Sequence, residues 1–372
     1  MNLHIFNDEK FFDPFVSKLE QLNLTTNNKF IVRRGGQFKY IKRVDLVSST
    51  LDSNKFSTQV GDISSYDKVF LHAFNNDLKR WVLRNKFNEL NWMIWGSELY
   101  ESKSVSYPLF EPGTQLLKED TQNIEDILKD GLRKVKNYIL NIQSQKAYQK
   151  IDNILTWITP EYKFAIQNIE GLAAQHKYFL YGFDTDIETL SKLFSIHEKL
   201  PQIADNKLKC ILGNSGAITN NHVDALHKMS GIYFEEILIP VSYGHHKYVS
   251  RLKDKIKENY SFLNVKYMES FVKFKEYVEM FYEYPIFINN SLRPLGMGNI
   301  WLALLTGKIV FMNSKNFMYQ YMKDLNLQVF DIDNIQNIDK YAAIIDREKN
   351  KKIVLNYLST EKIERIYLDI FG

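Results

Sequence analysis

Short runs of apolar residues alternate along the chain with longer stretches in which apolar positions recur at helical spacing. In the first half, this pattern predicts strands at Asn2 to Phe6, Lys29 to Val32, Lys68 to Leu71, Asn91 to Trp95, Ile151 to Trp157 and Tyr178 to Tyr181. Amphipathic stretches lie between most of these runs, as in the segment through Phe15, Leu19 and Leu22. Strands that alternate with helices are typical of a parallel, doubly wound α/β sheet.

The alternation begins again after a polar, irregular stretch from Leu190 to Asp205. Strands of the second half are predicted at Leu208 to Leu212, Glu236 to Val241, Asn264 to Tyr267, Tyr284 to Ile288, Lys308 to Met312 and Gln328 to Phe330. A C-terminal helix is predicted over about 338–358. Because 372 residues exceed what one core usually serves, we predict two Rossmann-like domains, 1–200 and 201–372, divided near Pro201. We also expect that the terminal helix can pack back on the first domain.

Composition indicates the compartment. A hydrophobic content of 45% with 25% charged residues fits a well-packed soluble protein. The single Cys210 excludes an internal disulfide and suits a reducing compartment. No apolar run approaches the roughly 18 residues that a membrane-spanning helix needs, and the N-terminal stretch does not resemble a signal peptide. These features predict a cytoplasmic protein.

The charge is uneven along the chain. A net charge of +4 is too small to indicate a nucleic-acid partner. Two basic clusters stand out, Arg33 to Arg43 and Lys129 to Lys150, and the second is interleaved with apolar residues. Each cluster can be interpreted as a contact with an anionic membrane surface or as the solvated face of an ordinary helix.

Two glycine-containing turns in the second half each precede a predicted helix. They are Gly213-Asn214-Ser215-Gly216 and Gly296-Met297-Gly298-Asn299. Backbone N–H groups in such turns, together with the positive end of a helix dipole, can bind a diphosphate without a metal. Arg293 adds a cation that could neutralise a departing diphosphate, although it could equally be a surface loop charge.

Several well-known motifs are missing from the sequence. No Gly-x-Gly-x-x-Gly follows the first strand and no Walker A lysine motif is present, which disfavours dinucleotide oxidoreductases and P-loop NTPases. His-Glu-x-x-His does not occur in the sequence, and no metal and no cofactor is predicted. The class that remains is a metal-independent group transfer from a nucleotide-activated donor.

Polar residues follow two predicted strands of the first half. His72 and Asn75 follow one strand, and Glu98 and Tyr100 follow another strand that ends at Trp95. In open parallel sheets, ligands bind beyond the carboxyl ends of the strands. These residues are therefore the first-half candidates for a binding or catalytic site.

The chain resembles a known family, the TDP-N-acetylfucosamine:lipid II N-acetylfucosaminyltransferases of glycosyltransferase family 56. The similar stretches occur in family order and are Phe70 to Asn75 (FLHAFN), Trp92 to Tyr100 (WMIWGSELY), Leu212 to Leu226 (LGNSGAITNNHVDAL), Ile239 to Gly244 (IPVSYG) and Gly296 to Leu305. The resemblance implies a GT-B architecture, with two Rossmann-like domains facing across a cleft. It places the acceptor on the N-terminal domain and the nucleotide sugar mainly on the C-terminal domain.

The resemblance also implies a cellular setting and a substrate pair. The family acts at the inner face of the cell inner membrane, where we expect this protein to attach peripherally beside its lipid-linked saccharide acceptor. Two positions depart from the family pattern. The family has an aspartate in place of Glu98, and Arg293 has no family counterpart, so its role rests on its charge alone.

Candidate roles follow for the residues at the strand ends. Glu98 is the first candidate for the base that takes the acceptor proton, and His72 is a second candidate base or an acceptor-binding residue. The structural alternatives are a helix cap for Glu98 and a satisfied core histidine for His72. Asn75, Trp95 and Tyr100 are the candidates for acceptor binding.

The donor site is predicted in the second half. Residues expected to bind the diphosphate or lie beside it are Gly213, Asn214, Ser215, Gly216, Asn221, His222, Arg293, Gly296, Gly298 and Asn299. Tyr243 could stack on the nucleotide base or merely pack, and Glu269 is a weaker donor-binding candidate.

The prediction is thus a metal-independent glycosyltransferase of hexosyltransferase type. It would move an N-acetylfucosamine-like deoxy-amino sugar from a TDP-sugar to a polyprenyl-diphosphate-linked saccharide in bacterial surface polysaccharide assembly, as for enterobacterial common antigen. The alternatives are a GT-B transferase with another nucleotide sugar, in O-antigen or capsule synthesis, and a non-catalytic nucleotide-sugar-binding module.

Overall fold

A computed structural model of the protein describes residues 1–33, 37–50, 60–102, 105–119, 144–181 and 208–372. The chain divides into two compact units. The described parts of unit 1 fall within Met1–Tyr107, Lys129–Ile187 and Ser359–Gly372, and those of unit 2 within Pro108–Leu128 and Glu188–Leu358. The predicted boundary near Pro201 and most of the basic cluster Lys129 to Lys150 lie outside the described residues.

The described elements alternate as the hydrophobic pattern predicts. The strands are β1 (Asn2–Phe6), β2 (Asn28–Val32), β3 (Val47–Thr50), β4 (Lys68–His72), β5 (Leu90–Met93), β6 (Asn153–Leu155), β7 (Gln175–Lys177), β8 (Lys209–Leu212), β9 (Glu236–Pro240), β10 (Val265–Met268), β11 (Ile286–Asn289), β12 (Ile309–Met312) and β13 (Phe330–Asp331). The helices are α1 (Phe12–Gln21), α2 (Asn76–Arg84), α3 (Ser97–Tyr100), α4 (Pro112–Glu119), α5 (Thr159–Asn168), α6 (His222–Met229), α7 (His246–Asn259), α8 (Phe274–Tyr282), α9 (Met297–Leu305), α10 (Phe317–Asp324), α11 (Ile338–Ile344), α12 (Arg347–Tyr357) and α13 (Thr360–Phe371).

Each unit contains one parallel sheet. Unit 1 has seven strands in the order β3-β2-β1-β4-β5-β6-β7, and unit 2 has six in the order β10-β9-β8-β11-β12-β13. Every pairing between these strands is parallel. The predicted α/β class with two Rossmann-like sheets is confirmed. Central strands such as β1, β5 and β9 are buried along their whole length, which is why they read as continuous apolar runs.

Two edge strands of unit 1 were not predicted correctly. The last strand was expected at Tyr178 to Tyr181 but lies at Gln175–Lys177, and β3 was not predicted at all. Residues Phe179 and Leu180 are buried outside the sheet, so their apolar character marks burial rather than a strand. Edge strands bury less surface than central ones, and a hydrophobic pattern therefore identifies them poorly.

The predicted single helix over about 338–358 is also wrong. The structure has α11 and α12 in its place, separated by Ile345, which has an extended backbone. The Asp346 side chain accepts a hydrogen bond from the Lys349 N–H and thereby caps the start of α12. The last helix, α13, belongs to unit 1, where Tyr367 and Phe371 pack against Phe15.

The strand order of each sheet locates a candidate ligand crevice. In unit 1 the strands β1 to β3 extend to one edge of the sheet, and β4 to β7 extend to the other. In unit 2 the strands β8 to β10 and β11 to β13 do the same, so the strand order reverses between β1 and β4 and between β8 and β11. Ligands of open α/β sheets bind beyond the carboxyl ends of the strands at this reversal. The residues that follow β1 and β4, and those that follow β8 and β11, are therefore the places to look.

Candidate functional site

The first glycine turn of unit 2 follows β8 directly. Gly213 has a positive φ of 74°, and its N–H donates to the Ile288 carbonyl of β11 at 2.8 Å. The buried Asn220 side chain holds the turn: its Oδ1 accepts from the Asn214 N–H at 3.2 Å, and its Nδ2 donates to the Ser215 carbonyl at 3.0 Å. Sequence reasoning missed Asn220, although an asparagine so close to a glycine turn is a recognisable signal.

A further glycine joins the loops that follow β8 and β9. The Gly216 N–H donates to the Tyr243 carbonyl at 2.7 Å, and the His245 N–H donates to the Gly216 carbonyl at 3.0 Å. Gly244 has a φ of 126°, and a Cβ there would lie 2.3 Å from the Gly216 carbonyl carbon. Only glycine fits such an approach. Gly244 was not among the predicted site residues.

The second glycine turn meets the first at Asn214. Gly296 has a φ of 70°, and a Cβ on it would lie 2.9 Å from the Asn214 Cγ. The Asn214 Nδ2 in turn donates to the Tyr243 hydroxyl at 3.1 Å. The structure thus brings together two turns that lie some 80 positions apart in the sequence, together with the predicted Tyr243.

Helix α9 begins at the second turn with Gly298 and Asn299 in its first turn. Its N-cap residue is Gly296, which offers no side chain to cap the helix, so no side-chain cap competes with a ligand for the first N–H groups of α9. The Asn299 side chain hydrogen-bonds to Tyr277, whose pKa is raised by burial and by the nearby Tyr243. The cluster around Asn214 therefore extends to α8.

Arg293 lies in the loop between β11 and this turn. It is buried, not a surface charge, and its Nη1 donates to the Pro294 carbonyl at 3.2 Å. The Asn316 side chain donates to the Arg293 carbonyl at 2.7 Å and so fixes the loop. Arg293 therefore lies in a fixed loop, three residues before Gly296 of the second glycine turn.

Asn221 does not occupy the predicted diphosphate position. Its Oδ1 accepts from the Glu111 N–H at 3.0 Å, and its Nδ2 donates to the carbonyls of Leu109 and Asn290, at 3.2 and 3.3 Å. The side chain is fully buried and its hydrogen-bonding capacity is used within unit 2. It therefore holds the segment before α4 against the start of α6.

His222 lies beneath the first turn rather than at its surface. Its Nδ1 is 2.9 Å from the Tyr248 hydroxyl, and burial lowers its pKa to about 3, so the ring is neutral at pH 7. Among the described residues, its Nε2 has no hydrogen-bond partner. A Cβ on Gly213 would come within 2.7 Å of that nitrogen.

Glu269 is not brought to the glycine turns. It follows β10, the outermost strand on its side of the sheet, and β9 separates β10 from β8. Its carboxylate pairs with Lys253 Nζ at 2.8 Å in an exposed position. The structure therefore gives Glu269 the contacts of an ordinary surface residue.

In unit 1, Glu98 lies at the start of the short helix α3. Its Oε1 accepts from the Trp95 N–H at 2.8 Å and from the Trp92 Nε1 at 3.2 Å. Trp95 precedes Gly96, the N-cap residue of α3, so the carboxylate holds the turn from β5 into α3 and is not the helix cap that was the structural alternative to a base. It lies at the carboxyl end of β5.

Lys79 is a charged neighbour of Glu98 that sequence reasoning missed. Its side chain is only 3% exposed, its Nζ donates to the Asn76 Oδ1 at 3.0 Å, and it lies 4.5 Å from the centre of the Tyr148 ring. Burial lowers the pKa of Lys79 to about 8, while the charge of Glu98 acts in the opposite direction. A lysine at a position on the apolar face of α2 could have indicated a buried charge in the sequence.

His72 is part of a buried chain of hydrogen bonds. Its Nε2 is 3.0 Å from the His4 Nδ1, and its Nδ1 is 2.6 Å from the Tyr181 hydroxyl. The chain continues from the His4 Nε2 to the Asn28 Oδ1 at 2.8 Å, and from the Tyr181 hydroxyl to the Trp95 Nε1 at 2.8 Å. Both ring nitrogens of His72 are therefore occupied.

The direction of these hydrogen bonds can be assigned. Asn28 donates through its Nδ2 to the Leu24 carbonyl, so its Oδ1 accepts from the His4 Nε2. Burial lowers the pKa of His4 to about 3 and holds that of His72 well below its usual value, so both rings are neutral. His72 then donates through Nε2 to His4 and accepts at Nδ1 from Tyr181. With no nitrogen lone pair to spare, His72 is a satisfied core histidine and not a base.

The acceptor candidates differ in exposure. Tyr100 is 2% exposed, and its hydroxyl donates to the Glu161 Oε1 at 3.1 Å, so it is a core residue and not an acceptor contact. Asn75 is the N-cap residue of α2 but makes no side-chain cap hydrogen bond. Trp95 is partly exposed, with its indole nitrogen turned inwards to Tyr181.

Known proteins can be compared with this arrangement. The model of the family described as 4-alpha-L-fucosyltransferase, glycosyl transferase group 56, matches residues 134–362, more than half of the chain. The chain belongs to this family. The resemblance seen in the sequence is thereby confirmed, and the protein is a glycosyltransferase.

Solved structures with a similar fold include the sucrose-phosphate synthase of Thermosynechococcus elongatus. It has a TM-score of 0.64 and 12% identity, over 100% of this chain and 99% of its own. The Anabaena protein HepE, solved in complex with UDP and glucose, has a TM-score of 0.61 and 11% identity, over 99% and 98% of the two chains. A glycosyltransferase of Rickettsia africae ESF-5 has a TM-score of 0.59 and 11% identity, over 100% and 97%. The predicted GT-B fold of this group 56 glycosyltransferase is confirmed.

Proposed function

We propose that this glycosyltransferase moves an N-acetylfucosamine-like deoxy-amino sugar from a TDP-sugar to a polyprenyl-diphosphate-linked saccharide in bacterial surface polysaccharide assembly. The family description, a fucosyltransferase, supports a 6-deoxy sugar as the group transferred. HepE was solved with UDP-glucose, which supports a nucleotide sugar as the donor.

The observation that carries the proposal is the convergence of glycine turns on Asn214 in unit 2. Gly213 and Gly296 have positive φ values, and Gly296 lies so close to Asn214 that the two turns meet where β8 and β11 end. The start of α9, which has no side-chain cap, adds backbone N–H groups there. Such an edge suits a diphosphate, because amide hydrogens and a positive dipole end stabilise its charge. The buried Arg293 would contribute a cation as the diphosphate leaves.

Glu98 remains our candidate base. In the transfer, the acceptor hydroxyl oxygen forms a bond to the anomeric carbon of the sugar, and the bond from that carbon to the TDP oxygen breaks. The hydroxyl proton passes to the Glu98 carboxylate, and the electron pair of the broken bond stays with the nucleoside diphosphate. The acceptor is assigned to unit 1, where Trp95 is partly exposed.

For the membrane contact, the proposal is peripheral binding to an anionic surface. No helix in the described part of the chain is long and apolar enough to span a bilayer. In the cluster Arg33 to Arg43, Arg33 pairs with Asp77, and Arg43 pairs with Glu20 and Asp45. The positive charge that would bind an anionic membrane is therefore assigned to the basic residues between Arg33 and Arg43.

A nucleotide panel tests the donor assignment. Thermal unfolding with TDP, UDP and GDP should show selective stabilisation by TDP, because a ligand that binds only the native state at 100 times its Kd adds about 2.7 kcal/mol. Mass spectrometry should then detect transfer from TDP-N-acetylfucosamine to a lipid-linked saccharide. Stabilisation by UDP or GDP alone would refute the TDP assignment, and no response to any nucleotide would refute the donor site.

A further inference from the structure

Three aromatic side chains meet at the crevice of unit 1. Phe11 lies between β1 and α1, Trp95 follows β5, and Tyr181 follows β7. The Phe11 ring centre is 5.6 Å from that of Trp95 and 5.5 Å from that of Tyr181, and the last two are 6.2 Å apart. Phe11 is 37% exposed and Trp95 is partly exposed, so ring surface is open to solvent here.

The polar atoms of this group point inwards. The Trp95 Nε1 donates to the Tyr181 hydroxyl, and that hydroxyl donates to His72, whose Nδ1 at 2.6 Å is a closer acceptor than the Met93 Sδ at 3.7 Å. What the group offers to a ligand is therefore ring surface without a hydrogen-bond donor. A pyranose ring has an apolar C–H face that matches such a surface, and a stacked sugar keeps its hydroxyls free for other contacts.

We propose that Phe11, Trp95 and Tyr181 form an acceptor platform on which a pyranose ring of the acceptor saccharide stacks. His72 and His4 are positioning residues that hold this platform in place. The proposal rests on the proposed function and specifies how its acceptor site recognises the saccharide.

The buried chain behind the acceptor platform explains why two histidines occupy a core of phenylalanines. His4 lies within 5.5 Å of the ring centres of Phe15, Phe30 and Phe70, where an apolar side chain would avoid the cost of burying an imidazole. A complete run of hydrogen bonds removes most of that cost and defines one orientation for every member. Since Trp95 is its outermost member, the orientation of the indole is fixed from the far end, at Asn28.

The acceptor platform can be tested by comparing acceptor and donor kinetics. Phe11→Leu should raise the KM for a soluble acceptor analogue, with a short alkyl chain in place of the polyprenyl chain, about 10-fold. The KM for the TDP-sugar and kcat should stay within about twofold, because Phe11 belongs to unit 1, the donor site is assigned to unit 2, and the ring has no part in the chemical step. Tyr233→Leu is the matched control, since Tyr233 is 72% exposed and precedes β9 at the amino end of the unit 2 sheet.

Tyr181→Phe tests the positioning chain, because it keeps the ring and removes only the hydroxyl. The acceptor KM should rise several-fold with kcat little changed. The ¹⁵N NMR signals of His72 should also move, since its Nδ1 loses the Tyr181 donor while Nε2 keeps its proton.

An unchanged acceptor KM in both variants, with nucleotide stabilisation and transfer intact, would overturn the acceptor platform. If no nucleotide raised the melting temperature of the unaltered protein, the proposed function would be overturned instead. If Tyr181→Phe fails to fold, Phe11→Leu decides the proposal alone, because its side chain is already partly in solvent.

Discussion

A carboxylate that holds a turn and a carboxylate that accepts a proton make different demands on the same side chain. To hold the turn before α3, Glu98 needs only the Oε1 that accepts from Trp92 and Trp95. For catalysis it needs a charged group that can bind a proton. Glutamine supplies the first and lacks the second, so one substitution separates the two roles.

We predict that Glu98→Gln lowers the transfer rate by roughly 100-fold or more, the usual contribution of a general base. Stabilisation by the nucleotide should change little, because the Oε1 contacts persist. Initial rates with saturating donor measure the effect. Glu101→Gln, an exposed neighbour, is the control. A rate within threefold of the unaltered protein would show that Glu98 serves the fold alone.

At the residue scale, the sequence located candidate positions but not their partners. Placing His72 and Glu98 at strand ends required only local patterns. His72 bonds to residues 68 and 109 positions away, and Tyr100 bonds to Glu161, 61 positions away. Such distant contacts decide whether a polar side chain faces a ligand or the core, and no spacing rule shows them. For that reason the sequence did not show that the side chains of Tyr100 and Asn221 are buried and hydrogen-bonded within the fold.

At the element scale, the turns that follow β8 and β11 could be predicted because each is encoded by adjacent residues. A buried run, a glycine and a helical pattern indicate a strand, a turn and a helix in succession. That the second turn contacts Asn214 of the first could not be predicted, because it depends on β8 and β11 being neighbours in the sheet. The same limit applies to Gly244, because its close approach to Gly216 depends on how the loops after β8 and β9 pack.

We predict that Gly296→Ala weakens nucleotide binding about 10-fold and destabilises the protein by roughly 1 kcal/mol. The added Cβ would lie 2.9 Å from the Asn214 Cγ and would move that side chain away from Tyr243. Nucleotide titration followed by thermal unfolding measures both effects.

Gly61→Ala is a matched control for this substitution. Gly61 has a φ of 76°, close to the 70° of Gly296, but a Cβ there meets nothing within 4 Å. Backbone strain should therefore be similar, while nucleotide affinity should be unchanged. Equal loss of affinity in both variants would mean that strain, and not the contact with Asn214, is responsible.

At the scale of the whole molecule, buried neutral histidines make stability depend on pH. The pKa of His4 and of His222 is lowered to about 3, and that of His72 well below its usual value, in each case first by burial. Between about pH 6.5 and pH 3 the unfolded chain binds protons at these positions that the folded chain does not. The stability that these neutral histidines contribute is therefore fully present above pH 6.5 and is lost as the pH falls.

We predict that the free energy of unfolding decreases between pH 7 and pH 5.5 by about 1.4 kcal/mol per pH unit for each of these histidines, once the pH is below 6.5. Urea unfolding at several pH values measures the slope. His222→Phe should make the slope shallower in the transition of unit 2 and leave that of unit 1, with His4 and His72, unchanged. A protein equally stable at pH 7 and pH 5.5 would contradict the burial of neutral rings.

The return of α13 to unit 1 has a consequence for how the protein is made. The Phe371 carbonyl accepts hydrogen bonds from Asn2 and Asn28, at the amino ends of the first two strands. Phe371 lies 369 positions after Asn2 and 343 after Asn28, so the ribosome releases it after unit 2, and the aromatic core of unit 1 stays uncovered until then. The N-terminal part of the enzyme is then the last to finish folding, and it is the part that a chaperone would need to shield.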